Sequence, residues 1–203
     1  MINKKKVLDY EINFPQGYRP KTYLRSHGTE YILSDYVIND NTAIELKVDN
    51  TTFNTAQASS IYVGQSLPIW NQIGNTRFGT IVFARGGDQK TSTLITGEIV
   101  IKQTAKDSNG IVKNYINDTL VCENSDLTET VNQKNAYIFS SEWQNNADNK
   151  ANIKLFYLKF YENGVLVRNY VPAQRRSDNV LGLLDLVNLN FFPNQGTGNF
   201  ESD

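Results

Sequence analysis

Acidic residues come first, because two carboxylates that face one cleft can hydrolyse a glycosidic bond. A retaining enzyme holds its two carboxyl groups about 5 Å apart, a spacing that alternate residues along one strand would supply. The densest acidic cluster is Glu123, Asp126 and Glu129, which are spaced by three residues within a polar, loop-like stretch. This spacing does not place carboxylates on one face of a strand. We therefore predict no catalytic residues and no enzyme activity.

Nucleophilic catalysis would require His27 and Cys122, the only histidine and the only cysteine of the chain, to meet in the fold. We instead interpret His27 as a hydrogen-bonded turn residue and Cys122 as a buried, inert thiol. One histidine and one cysteine also exclude the usual zinc spacings. Calcium stays open as an alternative, because it binds carboxylate and amide oxygens and several aspartates lie in predicted loops. These aspartates are Asp35, Asp40, Asp88, Asp107 and Asp148. No other metal and no cofactor is predicted.

The two tryptophans are candidates for a glycan platform. Sugar C–H faces stack on aromatic rings, while the hydroxyls pair with neighbouring polar side chains. Trp70 precedes Asn71, and Trp143 precedes Gln144, so each ring has an amide beside it. The alternative is that each tryptophan packs in the core or at an interface, which is the commoner role. We predict these four residues as the glycan-binding set.

The composition is that of one globular domain. The chain has 203 residues, of which 39% are hydrophobic and 20% are charged, and nothing marks a boundary between two cores. The net charge is −1, so no long-range field attracts nucleic acid or an anionic membrane, and neither is an expected partner. The single cysteine rules out an intrachain disulfide. No apolar run approaches the roughly 20 residues of a membrane-spanning helix.

Apolar and polar residues alternate over many short runs that are closed by Asn, Asp or Gly, a pattern typical of half-buried antiparallel strands. The runs are 31–33, 42–48, 60–64, 78–84, 94–101, 111–115, 119–122 and 136–139. Helical periodicity is nearly absent. Polar segments at 88–93, 106–110 and 145–152 are predicted loops. Short strands at regular spacing favour a β-sandwich or a barrel.

The strongest local signal is the segment 154–171, in which an Asn-Gly pair separates two strand-like runs. An Asn-Gly pair fits the positive φ angles of a type I′ turn, which predicts a β-hairpin. We expect Phe156, Leu158 and Phe160 to form its core face, because alternate residues of a strand share a face. Pro172 is expected to end the second strand, since proline cannot donate to a ladder.

The segment 155–172, LFYLKFYENGVLVRNYVP, resembles the terminal hairpin of laminin-G-like, concanavalin A-like domains, which are common in bacteriophage structural proteins and in some bacterial surface proteins. The segments that look like the opening and closing strings of that family are 14–18, 26–32, 177–178, 182–187, 191–194 and 196–200. The middle of the chain matches only in pattern, and 188–190 replaces a more usual Gly-Lys turn. The resemblance implies an all-β, antiparallel jelly-roll β-sandwich with few or no helices.

This likeness divides the chain into an N-terminal arm, 1–13, and a concanavalin-like domain, 14–203. The arm has no counterpart in the family. We expect it to contribute to assembly, with an apolar strand-like face pairing with a partner and a basic trio meeting an acidic patch. The residues of that face are Leu8, Tyr10 and Ile12, and the basic trio is Lys4, Lys5 and Lys6.

The resemblance, the arm and the absence of a secretory signal at the start favour a non-enzymatic bacteriophage virion protein: a capsid decoration, head-fibre or tail-associated subunit. Such a protein would be made in the host cytoplasm and reside in the virion. Its expected partners are other virion proteins, copies of itself in a trimer, and host surface polysaccharide. The alternative is a bacterial surface carbohydrate-binding module. A glycanase is much less favoured, because no carboxylate pair is found.

Overall fold

The computed structural model describes residues 14–51, 60–65, 71–76, 78–125, 127, 135–143 and 146–203. These residues form two antiparallel sheets that pack as a sandwich, and no helix, which confirms the predicted all-β fold. Over these ranges, no helix is long and apolar enough to cross a membrane. The arm, 1–13, lies outside the described residues, so the division into arm and domain stays a prediction.

The described part of the chain contains eighteen strands. In chain order they are β1 (Tyr18–Pro20), β2 (Leu24–Arg25), β3 (Ile32–Leu33), β4 (Thr42–Asp49), β5 (Ser60–Gln65), β6 (Asn71–Asn75), β7 (Thr80–Arg85), β8 (Asp88–Thr93), β9 (Glu98–Gln103), β10 (Val112–Ile116), β11 (Thr119–Asn124), β12 (Tyr137–Ile138), β13 (Ser141–Trp143), β14 (Asn146–Asp148), β15 (Lys154–Glu162), β16 (Val165–Arg175), β17 (Leu181–Asp185) and β18 (Phe191–Pro193). The larger sheet has the order β11-β10-β9-β4-β15-β16-β17-β18, with β1 beside β16 and β2 beside β15. The smaller sheet has the order β3-β12-β5-β6-β7-β8, and β13 pairs with β14.

The core lies between the two sheets because alternate residues of each strand point inward. Buried and half-buried residues alternate without a break along β4. The larger sheet contributes Leu46, Ile101 and Phe160 to the core, and the smaller sheet contributes Ile73 and Phe83. Burying one such side chain stabilises the fold by roughly 1.5–3 kcal/mol, so this layer supplies the main driving force for folding.

Every predicted run overlaps a strand, although the first half of the run 94–101 precedes β9, and two strands do not carry the expected pattern. The predicted loop at 145–152 is wrong in part, because Asn146–Asp148 form β14 and pair with β13. The prediction of a loop at 88–93 is also wrong, because these residues form β8. This strand lies at the edge of the smaller sheet, and polar residues suit an edge strand that pairs on one side only. It pairs with β7 through a turn at Gly86 and Gly87, both of which have positive φ. The sequence NQIGN of β6 also lacks a regular alternation.

The opening and closing segments of the domain meet around the carboxylate of Glu30, which is only 2% exposed. Its oxygens accept hydrogen bonds from the backbone N–H of His27 at 2.7 Å and from the hydroxyls of Ser26 and Thr29 at 3.1 Å. A side chain at Gly198 would collide with Glu30 and Thr29. The closing segment therefore needs a glycine here, and it seals the carboxylate inside the fold.

Glu30 makes the stability of the domain depend on pH. Burial alone would raise the pKa of Glu30, but hydrogen bonds from the backbone of His27, Glu30 and Thr29 and from Ser26 outweigh it and lower the pKa. A carboxylate with a lowered folded pKa stabilises the fold above its unfolded pKa of about 4.3, and this contribution is lost as pH falls through the folded pKa.

We predict that Glu30→Gln lowers the free energy of unfolding at neutral pH by about 2 kcal/mol, because the amide would turn a donor toward the donors around it. Urea denaturation at several pH values should also show a flatter acid limb for this variant. Glu123→Gln is the control, since Glu123 is exposed on β11 and its loss should cost no more than about 0.5 kcal/mol. Equal losses in the two variants would contradict the role of Glu30.

Candidate functional site

One strand of the larger sheet, β15, contains an extra residue. Leu155 lies opposite Val48 of β4, and the next pair across the two strands joins Tyr157 to Lys47. Phe156 therefore has no partner of its own on β4, which is the two-against-one arrangement of a β-bulge. A bulge interrupts the alternation of faces along the strand. Two residues that lie two positions apart on either side of it therefore point to opposite faces of the sheet.

The bulge changes which side chains of β15 reach the core. Leu155, Leu158 and Phe160 are buried, whereas Phe156 and Tyr157 are both half-buried and lie on the outer face of the larger sheet. The prediction of a core face is confirmed for Leu158 and Phe160 and is wrong for Phe156. Two consecutive aromatic side chains thus share the outer face, which a regular strand does not allow.

The expectation that Pro172 ends its strand is also wrong, because β16 continues to Arg175. On one side Pro172 lies opposite Leu183 of β17, and on the other its carbonyl oxygen accepts the N–H of Lys21 at 3.1 Å. The N and C=O of one strand residue point to the same side. The nitrogen of Pro172 therefore points toward Lys21. Since β15 does not pair with β16 at this position, the missing N–H removes no hydrogen bond to β15.

The two strands of the hairpin separate at this point. Pairing between β15 and β16 extends from the turn to Leu158 and Tyr170 and goes no further. Beyond that pair, β1 adds to β16 and β2 adds to β15, so the chain around Lys21 and Thr22 crosses between the separated strands. Continuing the hairpin register by two residues would have brought Phe156 opposite Pro172. The bulge on β15 and Pro172 on β16 thus both lie at the point where the two strands separate.

A groove of about 360 Å³ opens at the fork, and we call it the fork groove. Its lining residues are Lys21, Thr22, Phe156, Tyr157, Lys159, Asn169, Val171, Pro172 and Leu186. Sites for small ligands in proteins usually have volumes of about 300–1,000 Å³ and combine apolar surface with a few polar groups. The fork groove meets both criteria.

The apolar wall of the groove continues into a small cluster on the outer face of the larger sheet. Val171 and Leu184 are buried there, and Tyr157, Leu186 and Phe14 pack against them. The opening segment of the domain thus covers the outer face next to the groove. At the edge of this covered area lies the fork groove, which the aromatic side chains of Phe156 and Tyr157 line.

Charged groups fix the ring of Tyr157. Burial raises the pKa of Tyr157, and the neighbouring Glu45 carboxylate, which is hydrogen-bonded to the hydroxyl, raises it further. The ammonium of Lys159 lies 3.1 Å from Glu45 Oε1 and 4.6 Å from the centroid of the Tyr157 ring. The ring is therefore neutral at physiological pH and is restrained at both its edge and its face.

Asn169 lies opposite Lys159 in the hairpin and supplies the amide of the groove. Its backbone N–H donates to Asp185 Oδ1 at 2.8 Å, and its carbonyl oxygen accepts the N–H of Leu186 at 2.9 Å. Its side-chain Oδ1 is buried and has no hydrogen-bond partner. A buried acceptor without a donor costs about 1–3 kcal/mol, so this atom needs an explanation.

The opposite rim is held by Asp203. Thr22 donates to the Asp203 carboxylate through its backbone N–H at 3.0 Å and through its hydroxyl at 2.5 Å. The ammonium of Lys21 donates to the backbone carbonyl of Asp203. Burial alone would raise the pKa of Asp203, but the bonds from Thr22 and the charge of Lys21 lower it. The rim is thus fixed by an ionised carboxylate.

The glycan-binding set predicted from the sequence does not coincide with the groove. Asn71 is buried at the start of β6, where its Oδ1 accepts the N–H of Gly86 at 3.1 Å. The backbone of Trp143 lies in β13, while its side chain, Trp70 and Gln144 lie outside the described residues. That set therefore stays a prediction. The sequence signal that could have indicated the groove is the presence of Pro172 on one strand of the hairpin at the level of two adjacent aromatic residues, Phe156 and Tyr157, on the other strand.

The assembly residues of the arm also lie outside the described residues: Lys4, Lys5, Lys6, Leu8, Tyr10 and Ile12. Their role in oligomer or particle assembly stays a prediction.

The residues considered for nucleophilic chemistry have structural contacts. His27 Nε2 lies 3.2 Å from Glu201 Oε2, which ties the loop before Glu30 to the closing segment. Cys122 is half-buried, and burial raises the pKa of its thiol, which lowers the population of the reactive thiolate. The contact of His27 agrees with the interpretation of a hydrogen-bonded turn residue. The expectation that Cys122 is buried is wrong, because its position on β11 leaves it half-buried.

The aspartates considered for calcium do not form a cluster. Within the described ranges, no three His, Cys, Asp or Glu side chains lie together as a metal site would require. Asp35 accepts from Arg168 and Tyr170, and Asp40 pairs with Lys106. Calcium binding therefore gains no candidate ligand set from this part of the chain.

No family model matches the chain, and no curated protein matches it. A protein from Bacteroides ovatus ATCC 8483, described as a "putative carbohydrate binding protein", has a similar solved structure, with a TM-score of 0.64 and 12% sequence identity. The match covers 90% of this chain and 60% of that protein, so the chain spans about three fifths of its length. At this identity the likeness establishes the fold alone, an antiparallel β-sandwich.

We predict that deleting Phe156 removes the bulge yet leaves a folded domain. Leu155 and Tyr157 would become consecutive partners of Val48 and Lys47, and every other β15 side chain would keep its face. The free energy of unfolding should fall by roughly 2 kcal/mol, measured by urea denaturation, because one partly buried ring is lost.

Deleting Glu45 from the regular strand β4 is the control for this deletion. It reverses the faces of the neighbouring β4 residues and should abolish cooperative unfolding. If deletion of Phe156 lowers the free energy of unfolding as much as deletion of Glu45, the bulge is required for folding. The interpretation that the bulge serves the groove would then be wrong.

Proposed function

We propose that this protein is a non-catalytic carbohydrate-binding module and that its saccharide lies in the fork groove. The observation that carries the proposal is the placement of Phe156 and Tyr157 on the same face, beside the unpartnered amide oxygen of Asn169. The similar fold of a protein described as carbohydrate binding supports it.

The chemistry of the groove suits a sugar. The C–H face of a pyranose ring stacks on an aromatic ring, and its hydroxyls both donate and accept hydrogen bonds. Tyr157 and Phe156 provide the aromatic surface, and Asn169 lines the groove beside them with an amide whose buried Oδ1 has no partner within the protein. Lys21 and Lys159 line the same groove as donors.

The carboxylates next to the groove support binding without hydrolysis. A glycosidase requires one carboxyl group with a raised pKa to protonate the leaving oxygen. Asp203 has a lowered pKa and is bound to Thr22, while Glu45 is held by Lys159 and Tyr157. Both side chains already act as acceptors that fix the walls of the groove.

A role as a capsid, head-fibre or tail subunit rests only on features of the sequence: the resemblance of its segments, the N-terminal arm and the absence of a secretory signal at the start. Neither the fold nor the comparisons with known proteins bear on a virion location, virion partners or a trimer, so these stay predictions. A carbohydrate-binding module, on a cell surface or on another assembly, is the function that the groove supports best.

We predict retention of the protein on at least one polysaccharide in affinity electrophoresis against a panel of neutral and anionic polysaccharides. Tyr157→Ala and Asn169→Ala should each weaken the affinity about tenfold, which corresponds to about 1.4 kcal/mol, the scale of one aromatic contact or hydrogen bond. The change in mobility with polysaccharide concentration measures that affinity.

Phe78→Ala is the matched control, because Phe78 is an aromatic residue, 77% exposed, in the turn between β6 and β7. Its retention should equal that of the unmodified protein. Loss of retention in Trp70→Ala or Trp143→Ala, with Tyr157→Ala unaffected, would move the site to the tryptophans. Release of reducing ends from a retained polysaccharide, abolished by Glu45→Gln or Asp203→Asn, would overturn the non-catalytic assignment.

A further inference from the structure

We infer that the fork groove selects an uncharged saccharide over an anionic one. This inference rests on the proposed function, and it adds the class of ligand. It is drawn from the charges that surround the groove, because each lysine there already has partners within the protein.

The four lysines that line or flank the groove all contact an acidic residue. Three are ion-paired: Lys47 with Glu98 at 2.7 Å, Lys159 with Glu45 at 3.1 Å and Lys154 with Asp49 at 3.8 Å. The fourth, Lys21, donates to the backbone of Asp203, and its charge acts on that side-chain carboxylate. Four lysine charges are thus matched by four side-chain carboxylates, three of them across neighbouring strands.

Three of these lysines also lie over aromatic rings. The ammonium of Lys47 is 4.6 Å from the centroid of Phe156, that of Lys159 is 4.6 Å from Tyr157, and that of Lys154 is 4.8 Å from Tyr23. A cation over a ring gains from the quadrupole of the ring in addition to its ion pair. A carboxylate or sulfate on a ligand would have to compete with both contacts.

The lysine–carboxylate pairs can still form hydrogen bonds with a neutral ligand. An ammonium group has three donors, and a carboxylate has about four acceptor positions, so an ion pair leaves several of them unused. Sugar hydroxyls can use the remaining donors and acceptors without separating the charges. An anionic sugar would instead approach Glu45 and Asp203, which repel it.

The experiment uses one polysaccharide backbone in two charge states: a neutral polysaccharide that retains the protein and its carboxymethylated derivative. We expect retention on the neutral form, at least about tenfold weaker retention on the derivative, and little change between low and high salt. Tyr157→Ala should weaken the retention on the neutral form about tenfold.

Glu45→Gln provides a gain-of-function test. It keeps an acceptor beside Tyr157 but leaves Lys159 without its carboxylate, so retention on the carboxymethylated polysaccharide at low salt should rise severalfold. Glu123→Gln changes the net charge equally, four strands away from β15 on β11, and should leave that retention unchanged.

The outcomes separate the two claims. Retention that depends on Tyr157 but occurs only on anionic polysaccharides, and weakens with salt, would overturn the neutral-ligand inference and keep the binding function. Equal gains in Glu45→Gln and Glu123→Gln would also overturn the inference, since the local ion pair would then have no role. Absence of any retention that depends on Tyr157 or Asn169 would overturn the proposed function itself.

Discussion

The missing N–H of Pro172 is the constraint on which the rest of the site depends. In the middle of a ten-stranded sheet, proline is tolerated only where one side of its strand has no ladder to complete. The chain meets this condition by separating β15 from β16 at Tyr170 and by letting Lys21 donate to the carbonyl of Pro172. The separation creates the fork, and the bulge at Phe156 directs two aromatic side chains to the face on which the fork opens.

The closing segment of the chain supports both the sandwich and the groove. Gly198 packs against Glu30 and completes the enclosure of a carboxylate that receives its hydrogen bonds from the opening loop. A few residues later, Asp203 binds Thr22 and fixes the rim of the fork groove. The last six residues of the given sequence thus contact both the buried carboxylate and the rim of the groove. Of the groove-lining side chains in the described part of the chain, only Asn169 has a buried polar atom without a partner.

The fold could be predicted because its strands obey simple alternation, whereas the groove could not, because it arises where alternation fails. The residues of β4 alternate between the core and the surface without interruption, and the Asn-Gly turn defines the hairpin. The run from Leu155 to Phe160 fits a regular strand with Phe156 inward as well as it fits a bulged strand with Phe156 outward, and only the facing strand decides between them. The sequence alone indicates that Pro172 cannot donate, but whether this proline ends a strand or lies at a fork depends on Lys21, which is distant in the sequence.

Backbone amide and indole N–H chemical shifts, followed during titration with a retained neutral oligosaccharide, show directly whether the fork groove binds the ligand. We expect the shifts to concentrate at Thr22, Tyr157 and Asn169, the residues around the fork. The protein has two tryptophans, so its two indole signals report independently on the alternative site, and they should not move. Shifts of an indole signal, with the amides of Thr22, Tyr157 and Asn169 unchanged, would contradict the account.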